Sequence, residues 1–324
     1  MHRHTGTGML RRSRRFGRVA TVLGLLTTAA CTSTPGTTVP SALTPGATPD
    51  TVSVATWNMC GVEQWGCADK GGPEAKFQQL RALADGRGVR VMLLQEVCSE
   101  DLLAAARRLG KDWHSEFDPY ISVDEAGRSV PVGCTGEGRG QAGSGLLAAS
   151  PLTGVQAVAT RQPAAGVHRR FLCAQVPAQG VRVCNGHVAL RGTDTVHPDR
   201  EFRDDHLRSL FEAASEHDRD RTIVGGDFNS SPPVDGSPTA WLWPAEAYTA
   251  YQECDQKGAS RAGRRTHEDG AKIDYLFTAL PRTGCQVVET KASDHRALVM
   301  RVSRPAPAVT QVPEVPQIPE LSTS

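Results

Sequence analysis

The feature that most constrains this chain is a series of short apolar segments that end in polar residues. TVSVATW, VRVMLLQE, RRFLCAQV, VRVCNGHV and TIVGGDFN are rich in valine, isoleucine and leucine and are bounded by turn-forming residues, so they predict strands. Along a strand, alternation puts Asp227 and Asn229 of the last segment on one face and Phe228 on the other. Taken alone, the Asp-Asn-Ser-Pro cluster also fits an ordinary turn.

Three longer segments have the spacing of helices. They are PEAKFQQLRALADGRG, SEDLLAAARRLG with Ser99 as N-cap and Gly110 as its end, and HPDREFRDDHLRSLFEAASEH with Pro198 in its first turn. Many strands combined with few long helices predict an α/β fold in which sheets pack together and helices cover them.

The N-terminus predicts export. Residues 1–30 read as a signal peptide, with a basic RRSRRFGR segment followed by the short apolar run VATVLGLLTTAA. Twelve residues at about 1.5 Å each are too few to span a bilayer. The following Cys31 stands in a sequence similar to a bacterial lipoprotein box and is the expected lipidation site. Ordinary signal-peptidase cleavage remains the alternative, because Thr28 stands where leucine is commonest.

The composition of the chain divides it into four regions. After the signal peptide, residues 31–50 hold the lipidation site and a linker rich in Thr, Ser, Pro and Gly, which we expect to be disordered. Residues 51–303 form the folded domain, and residues 304–324 are a proline-rich tail, also expected to be disordered. The predicted location is extracellular or on the outer face of the cell membrane, with the lipid anchor as the only membrane attachment of a monomer.

The net charge argues against a protein that binds nucleic acid through a global basic field. The six arginines of residues 1–30 are lost with the signal peptide, which leaves 30 basic against 35 acidic residues. The net charge does not exclude a local basic groove.

The cysteines support export. With Cys31 set aside for lipid, eight remain, as a disulfide framework requires. Cys173 and Cys184 are symmetric about a PAQG turn, so they would face each other across a hairpin. The other pairs are not fixed by the residues, although nearness in sequence suggests Cys60–Cys67, Cys98–Cys134 and Cys254–Cys285. A zinc site competes weakly, because no C-x2-C or H-x3-H spacing occurs.

Polar residues recur where the apolar segments end or begin. Their carboxylates suit hard divalent cations, their histidines move protons near neutral pH, and their amides orient phosphate oxygens. These are the parts that hydrolysis of a phosphate ester needs. The candidates are Asn58, Glu96, His187, Asp227, Asn229, Asp274, Asp294 and His295.

Six blocks in order carry a resemblance to a known family. ATWNMCG, LQEVC, NGHVAL, GGDFNSSP, KIDYLF and ASDHRALV resemble the motifs of the endonuclease/exonuclease/phosphatase superfamily, which includes deoxyribonuclease I and bacterial sphingomyelinases. The resemblance covers residues 52–302. It implies a four-layer αββα sandwich, in which two mixed sheets pack face to face with helices outside and the site lies at one edge of the sheets.

The resemblance also implies a metal side and a proton-transfer centre. Glu96 is expected to be the main metal ligand, with Asn58 beside it and Asp294 as a second carboxylate. The metal is Mg²⁺ or Mn²⁺, with Ca²⁺ as an alternative. His295 and Asp274 are the central His–Asp pair, in which an oriented imidazole is the favoured base near pH 7.

Three further residues take roles from the same resemblance. Asp227 positions or activates water, Asn229 orients phosphate, and His187 helps to stabilise the pentacovalent phosphorus. No expected catalytic residue type is missing, so the sequence predicts an active metal-dependent phosphodiesterase.

The sequence does not decide whether the substrate is a nucleic acid or a lipid. A nuclease needs basic residues that bind phosphate. The alternatives act on lipids and are a sphingomyelinase-like enzyme, a phospholipase C-like enzyme or a phosphoinositide phosphatase. For a sphingomyelinase-like enzyme, the membrane-binding hairpin could be formed by Trp241, Leu242 and Trp243. A surface lipoprotein that only binds is the non-enzymatic alternative. Nucleic acid is favoured. The candidate phosphate-gripping residues are Arg139, Arg169, Arg170, Arg191, Arg261, Arg264 and Arg265.

Overall fold

The computed structural model describes residues 51–304, which build two six-stranded sheets and one small sheet. The predicted signal peptide, Cys31, the linker and residues 305–324 of the tail lie outside the described residues. The first sheet contains β1 (Thr51–Asn58), β2 (Val91–Cys98), β3 (His114–Pro119), β6 (Ala142–Ala148), β14 (Arg282–Val288) and β15 (Ala297–Ser303). The second contains β7 (Thr153–Val158), β9 (Phe171–Val176), β10 (Val181–His187), β11 (Thr222–Asp227), β12 (Gln252–Glu253) and β13 (Asp274–Thr278). The small sheet contains β4 (Ile121–Val123), β5 (Ser129–Pro131) and β8 (Gly166–His168).

Both large sheets are mixed. The first has the order β14-β15-β1-β2-β6-β3, and the second has the order β12-β13-β11-β10-β9-β7. Within each, one central pair is parallel, β1 with β2 and β10 with β11, and the other pairs are antiparallel. The ends of β1, β2, β10 and β11 therefore lie at the same edges as the beginnings of β13 and β15.

Alternation along the strands produces three core layers. Val54 of β1 faces a core shared by the two sheets, with Leu172 and Ile223 of the second sheet, whereas the next residue, Ala55, faces the helices of the first sheet. Phe228 lies in a third core between the second sheet and its covering helix. This α-β-β-α layering confirms the predicted fold class.

Helices cover the outer faces, with corrections to two predicted starts. They are α1 (Pro73–Arg81, continued by a π turn over Ala82–Gly86), α2 (Ser99–Leu109), α3 (Arg203–Glu216) and the short α4 (Glu246–Thr249). Pro198 precedes α3 instead of lying in its first turn, because the helix begins only at Arg203. Ser99 is the first residue of α2 and not its N-cap, since its hydroxyl accepts the Gln141 N–H instead.

Four disulfides join the eight cysteines of the described residues in the pairs that nearness in sequence suggests. The Cα atoms of Cys173 and Cys184 lie 4.1 Å apart, directly opposite each other on β9 and β10. Cys254, which follows β12, bonds to Cys285 on β14 and so links the two sheets. Of the remaining pairs, Cys60–Cys67 follows β1, and Cys98–Cys134 begins at the last residue of β2. Zinc is excluded at these sulfurs while they are bonded to each other.

Gly226 allows β11 to lie against β10 at the point where the site begins. Its φ is +143°, and a Cβ atom would approach the carbonyl oxygen of Gly186 to 1.8 Å, a distance that no side chain tolerates. This close approach places Asp227 level with His187 in the parallel register.

Within residues 51–304, no helix is both long and apolar enough to cross a membrane.

Candidate active site

A pocket of about 580 Å³ opens at the shared edge of the two sheets. Polar residues at strand ends converge there because the carboxyl ends of parallel strands meet the beginnings of their antiparallel neighbours. The lining includes Trp65, Glu96, Arg169, His187, Asp227, Asn229, His267 and His295.

His295 and Asp274 form a buried pair at the floor of the pocket. Asp274 is fully buried, and its two carboxylate oxygens lie 2.9 and 3.1 Å from Nδ1 of His295. The Thr266 hydroxyl accepts the Asp274 N–H and further holds this strand end in place. The imidazole Nε2 is thereby directed towards Asp227, at 3.8 Å from Oδ2.

Asp227 contacts polar side chains from both sheets. Its Oδ2 accepts the side-chain N–H of Asn58 at 3.1 Å and lies 3.6 Å from Nε2 of His187. Its Oδ1 accepts the backbone N–H of Asn229 at 2.9 Å, and Asn229 has a left-handed backbone with φ of +46°. One side-chain N–H of Asn229 donates to the Val188 carbonyl at 2.9 Å, which leaves the second for a ligand.

Asn58 bridges two carboxylates of the site. Its amide nitrogen donates to Glu96 at 3.2 Å and to Asp227 at 3.1 Å, while its amide oxygen accepts the Cys60 N–H at 2.9 Å. These contacts place Asn58 beside Glu96, and its predicted role as a metal ligand stays a prediction.

Glu96 projects into the pocket because β2 bulges at this residue. The pairing of β2 with β6 shifts between Leu94 and Val97, and Glu96 has φ of +51°, a backbone conformation that is strained for a side chain of its kind. The preceding Gln95 points into the core, where its side-chain N–H donates to Asn185 at 2.6 Å. Asn185 in turn donates to the carbonyl of Gly145, so a polar bridge between the sheets anchors the bulge.

His187 is held by Tyr120, a residue that the sequence did not single out. The Tyr120 hydroxyl lies 2.8 Å from Nδ1 of His187 and accepts the Glu96 N–H at 3.2 Å. A hydroxyl that donates to Nδ1 leaves the hydrogen of the neutral imidazole on Nε2, which faces Asp227 and the pocket. Burial lowers the pKa of His187 well below its usual value, with further repulsion from Arg169 and His295.

Asp294 lies with His267, a second residue that sequence analysis missed. Oδ2 of Asp294 lies 3.5 Å from Nε2 of His267, and the other nitrogen of that ring lies 2.9 Å from Asp269. The contact with Asp294 raises the pKa of His267. Burial opposes ionisation of Asp294, but its contacts with His267 and His295 outweigh this and lower its pKa to about 2.

The charge states of the central groups follow from burial and from one another. Burial raises the pKa of Glu96 to about 7 and that of Asp227 to about 6. Burial opposes the charged form of His295, but Asp274, Asp227 and Asp294 outweigh it and raise its pKa to about 10. These acids therefore favour the imidazolium form of His295 in the metal-free site, and the predicted base role, which needs a neutral ring, stays a prediction.

The described residues offer three groups of ligand atoms that could hold a metal ion. In one group, Cys60 and Cys67 are bonded to each other, which leaves Glu96 as the ligand. Its carboxylate is a hard oxygen donor whose raised pKa a cation would lower, so the residues fit a divalent metal. The predicted carboxylates Glu96 and Asp294 belong to different groups. The groups are Cys60–Cys67–Glu96, Asp227–Asp274–His295 and His267–Asp294–His295.

Two of the predicted phosphate-gripping arginines are engaged elsewhere. Arg139 is 7% exposed and pairs with Glu63 at 3.0 Å and Asp101 at 2.9 Å. Arg170 pairs with Asp118 and lines a different pocket. Neither residue lines the candidate pocket, so neither is placed to contact a phosphate bound there.

Arg169 is the one predicted arginine among the described residues that lines the candidate pocket. Its guanidinium lies 5.6 Å from the ring centre of Trp65 and 5.5 Å from that of Tyr120. Arg264 pairs with Asp255 at 2.9 Å. The remaining candidates do not line the pocket: Arg191, Arg261 and Arg265.

The buried His206, which lies behind the site, should make the stability of the protein depend on pH. Nε2–H of His206 donates to the Arg161 carbonyl at 2.7 Å, and Nδ1 accepts the Ala189 N–H at 3.2 Å, so protonation would break the second bond. Burial lowers the pKa of His206 from 6.5 to about 4. Its contribution to stability is complete above pH 6.5 and is lost as the pH falls towards 4, because the unfolded state takes up the proton first. We expect it to amount to about 3 kcal/mol.

Denaturant unfolding of the wild type and of His206→Gln at a series of pH values measures this contribution. The difference between the two should shrink as the pH falls from 6.5 to 4. A difference that does not change with pH would show that His206 is protonated equally in both states.

Comparisons with known proteins agree with this fold and site. The sequence profile of the Endonuclease/Exonuclease/phosphatase family matches residues 55–295, and the chain belongs to this family. Endonucleases, exonucleases and phosphatases all hydrolyse phosphate esters, so this is a family of phosphoesterases. A search of curated protein sequences finds no significant match.

Solved structures share the fold at low sequence identity. An endonuclease/exonuclease/phosphatase from Beutenbergia cavernae DSM 12333 is 20% identical, with a TM-score of 0.57 over 79% of this chain and 72% of its own. D. rerio TDP2 complexed with single-strand DNA product is 14% identical, with a TM-score of 0.52 over 78% of this chain and 98% of its own. The 3′ phosphatase NExo from Neisseria, bound to product DNA hairpin, is 15% identical, with a TM-score of 0.50 over 77% of this chain and 98% of its own.

Proposed function

We propose that the protein is a divalent-metal-dependent phosphodiesterase that acts on nucleic acid. The observation that carries the proposal is the convergence of Glu96, Asp227, His187 and the His295–Asp274 pair on one pocket. A carboxylate for metal, acid–base groups and hydrogen-bond donors are thereby within reach of a single phosphate.

The position of each residue in the pocket indicates its role in hydrolysis. A metal bound at Glu96 would neutralise phosphate oxygens as a Lewis acid. Asp227 lies between both histidines and accepts the proton of the attacking water. The imidazolium of His295, held by Asp274, and Nε2–H of His187 donate to phosphate oxygens as negative charge grows on them. Mg²⁺ is the proposed metal, with Mn²⁺ and Ca²⁺ as alternatives.

Nucleic acid is preferred over lipid for two reasons. D. rerio TDP2 and NExo, which share the fold, are described with bound DNA. The predicted membrane hairpin is also broken up, since Trp241 is 63% exposed while Leu242 and Trp243 are buried in the core behind α3. One exposed tryptophan is a small apolar surface for membrane insertion.

The test is hydrolysis by the purified protein with Mg²⁺, Mn²⁺ or Ca²⁺. We expect cleavage of plasmid DNA, single-stranded DNA or RNA and of bis-p-nitrophenyl phosphate, with all activity lost in EDTA and restored by added metal. Sphingomyelin, phospholipids and phosphoinositides form the competing panel, and preference for one of them would replace the nucleic-acid assignment. A folded, metal-loaded sample that hydrolyses none of these would leave the binding lipoprotein as the better description.

We also propose export and, at Cys31, lipidation. The basis is the N-terminal sequence together with the even number of cysteines in the folded domain. Mass spectrometry of the mature N-terminus decides between a lipidated Cys31 and cleavage at another bond.

A further inference from the structure

We propose that Arg169 is the anion-binding residue of the pocket and holds the non-bridging oxygens of the phosphate. The inference rests on the proposed function for the identity of the anion, which is the phosphate of the substrate. It assigns to one side chain the basic contact that a nuclease needs and that the other candidate arginines do not supply.

Arg169 is a buried cation whose hydrogen-bonding groups lack partners. It is 4% exposed, and its Nε and Nη1 atoms are buried without a hydrogen bond among the described residues. The same side chain lines the pocket together with Glu96 and His187. The unpaired donors therefore belong to a side chain that forms part of the wall of this pocket.

Such an arrangement is unfavourable unless a ligand completes it. Burying donors of a charged group without partners costs free energy, and proteins normally pair them. This chain does so at Arg139, which is about as buried as Arg169 but is paired with Glu63 and Asp101. The contrast indicates that the missing partner of Arg169 is an anion that arrives from solution.

Two aromatic rings lie beside the guanidinium of Arg169. Trp65 and Tyr120 stack at 5.8 Å between ring centres, and Arg169 lies within 6 Å of both. The loop that carries Trp65 is closed by the Cys60–Cys67 disulfide. A planar fork of N–H donors held in one orientation matches two phosphate oxygens, which the point charge of a lysine does not.

The adjacent arginine supplies a matched control. Val167 and Arg169 line the catalytic pocket, whereas His168 and Arg170 line a separate pocket of about 620 Å³ on the other side of the same segment. Arg170 has the same charge, lies one residue away and is already paired with Asp118. Its replacement should leave anion binding in the catalytic pocket unchanged.

The experiment measures binding of inorganic phosphate in EDTA by calorimetry and by the rise in melting temperature. The wild type and Arg170→Gln should bind phosphate equally. Arg169→Gln should bind about tenfold to a hundredfold more weakly, and Arg169→Lys should lie between them. Without phosphate, Arg169→Gln should melt at the wild-type temperature or above it, since an unpaired buried charge is removed.

Three outcomes of the binding and melting measurements would overturn the assignment. The first is phosphate binding by Arg169→Gln or Arg169→Lys with the wild-type Kd. The second is a loss of phosphate binding in Arg170→Gln as large as that in Arg169→Gln, which would show that phosphate is attracted by the overall positive charge and not by one side chain. The third is a lowered melting temperature of Arg169→Gln without phosphate, which would show that Arg169 has a structural role.

Catalytic measurements separate this inference from the proposed function. Phosphate binding that depends on Arg169, in a protein that hydrolyses no substrate, would support the subsite and reject the enzyme. Hydrolysis of DNA by Arg169→Gln with unchanged KM and kcat would reject the subsite and support the enzyme.

Discussion

Replacing His295 with Ala should lower kcat on a nucleic-acid or bis-p-nitrophenyl phosphate substrate by about 10²- to 10⁴-fold. The imidazole of His295 contacts the fully buried Asp274 and faces Asp227. Its loss therefore removes the hydrogen-bond donor to the phosphate and leaves the Asp274 carboxylate without its partner. Steady-state kinetics with saturating metal measure the effect. KM should change much less than kcat, because the interaction is made mainly in the transition state.

Two further variants make the His295 result interpretable. His295→Gln retains a hydrogen-bonding group for Asp274, so it should fold like the wild type and still lose most of the activity. His217→Ala changes an exposed histidine after α3 and should leave kcat unaltered. Wild-type turnover by His295→Ala would remove His295 from the mechanism.

Replacing Lys272 with Met should lower the free energy of unfolding by about 3–5 kcal/mol. Nζ of Lys272 lies 3.0 Å from Glu253, and the side chains of both residues are at most 4% exposed. Nζ also donates to the Asp274 carbonyl at 2.7 Å, directly beneath the site. The variant leaves the Glu253 carboxylate buried without its cation, which is the costly way to break a buried pair. Denaturant unfolding with added EDTA measures the loss without metal binding.

Matched variants isolate the buried charge. Lys257→Met removes an exposed lysine nearby and should change stability by less than about 0.5 kcal/mol. The double variant Lys272→Met/Glu253→Leu removes both charges and should regain much of the lost stability. Similar losses in Lys272→Met and Lys257→Met would contradict the assigned role of the buried pair.

Local sequence was sufficient for the apolar strands, for the long helices and for most of the residue types in the site, but not for the short strands β4, β5, β8 and β12. Asp227 and Asn229 end an apolar strand, and alternation correctly put Phe228 on the opposite face, where it is fully buried. Strand ends, turns and hydrophobic period are properties of neighbouring residues, which is why the segments could be derived, whereas the four layers were implied by the resemblance to the family. The start of α3 could not, because Pro198 fits either a first helical turn or the turn that precedes one.

Partners distant in sequence were beyond the reach of local patterns. Tyr120 lies 67 residues from His187, with which it hydrogen-bonds, and nothing in its own segment marks it. His267 stands in an arginine-rich loop that only the fold brings to Asp294. Asn185 was the one detectable case, because an amide inside the apolar VCNGHV segment indicates a buried polar contact.

The sequence by itself therefore determined where the apolar strands lie along the chain and which chemical groups stand at their ends, because both depend on residue type and short-range period. The tertiary structure decided which of these groups meet and which stay apart. Arg169 and Arg170 are an example, because two adjacent residues of the same type have different surroundings. Arg169 lines the candidate pocket, whereas Arg170 forms an ion pair with Asp118. The physical reason is that the alternation of an extended segment separates their side chains, while the packing of two sheets supplies a partner to only one of them.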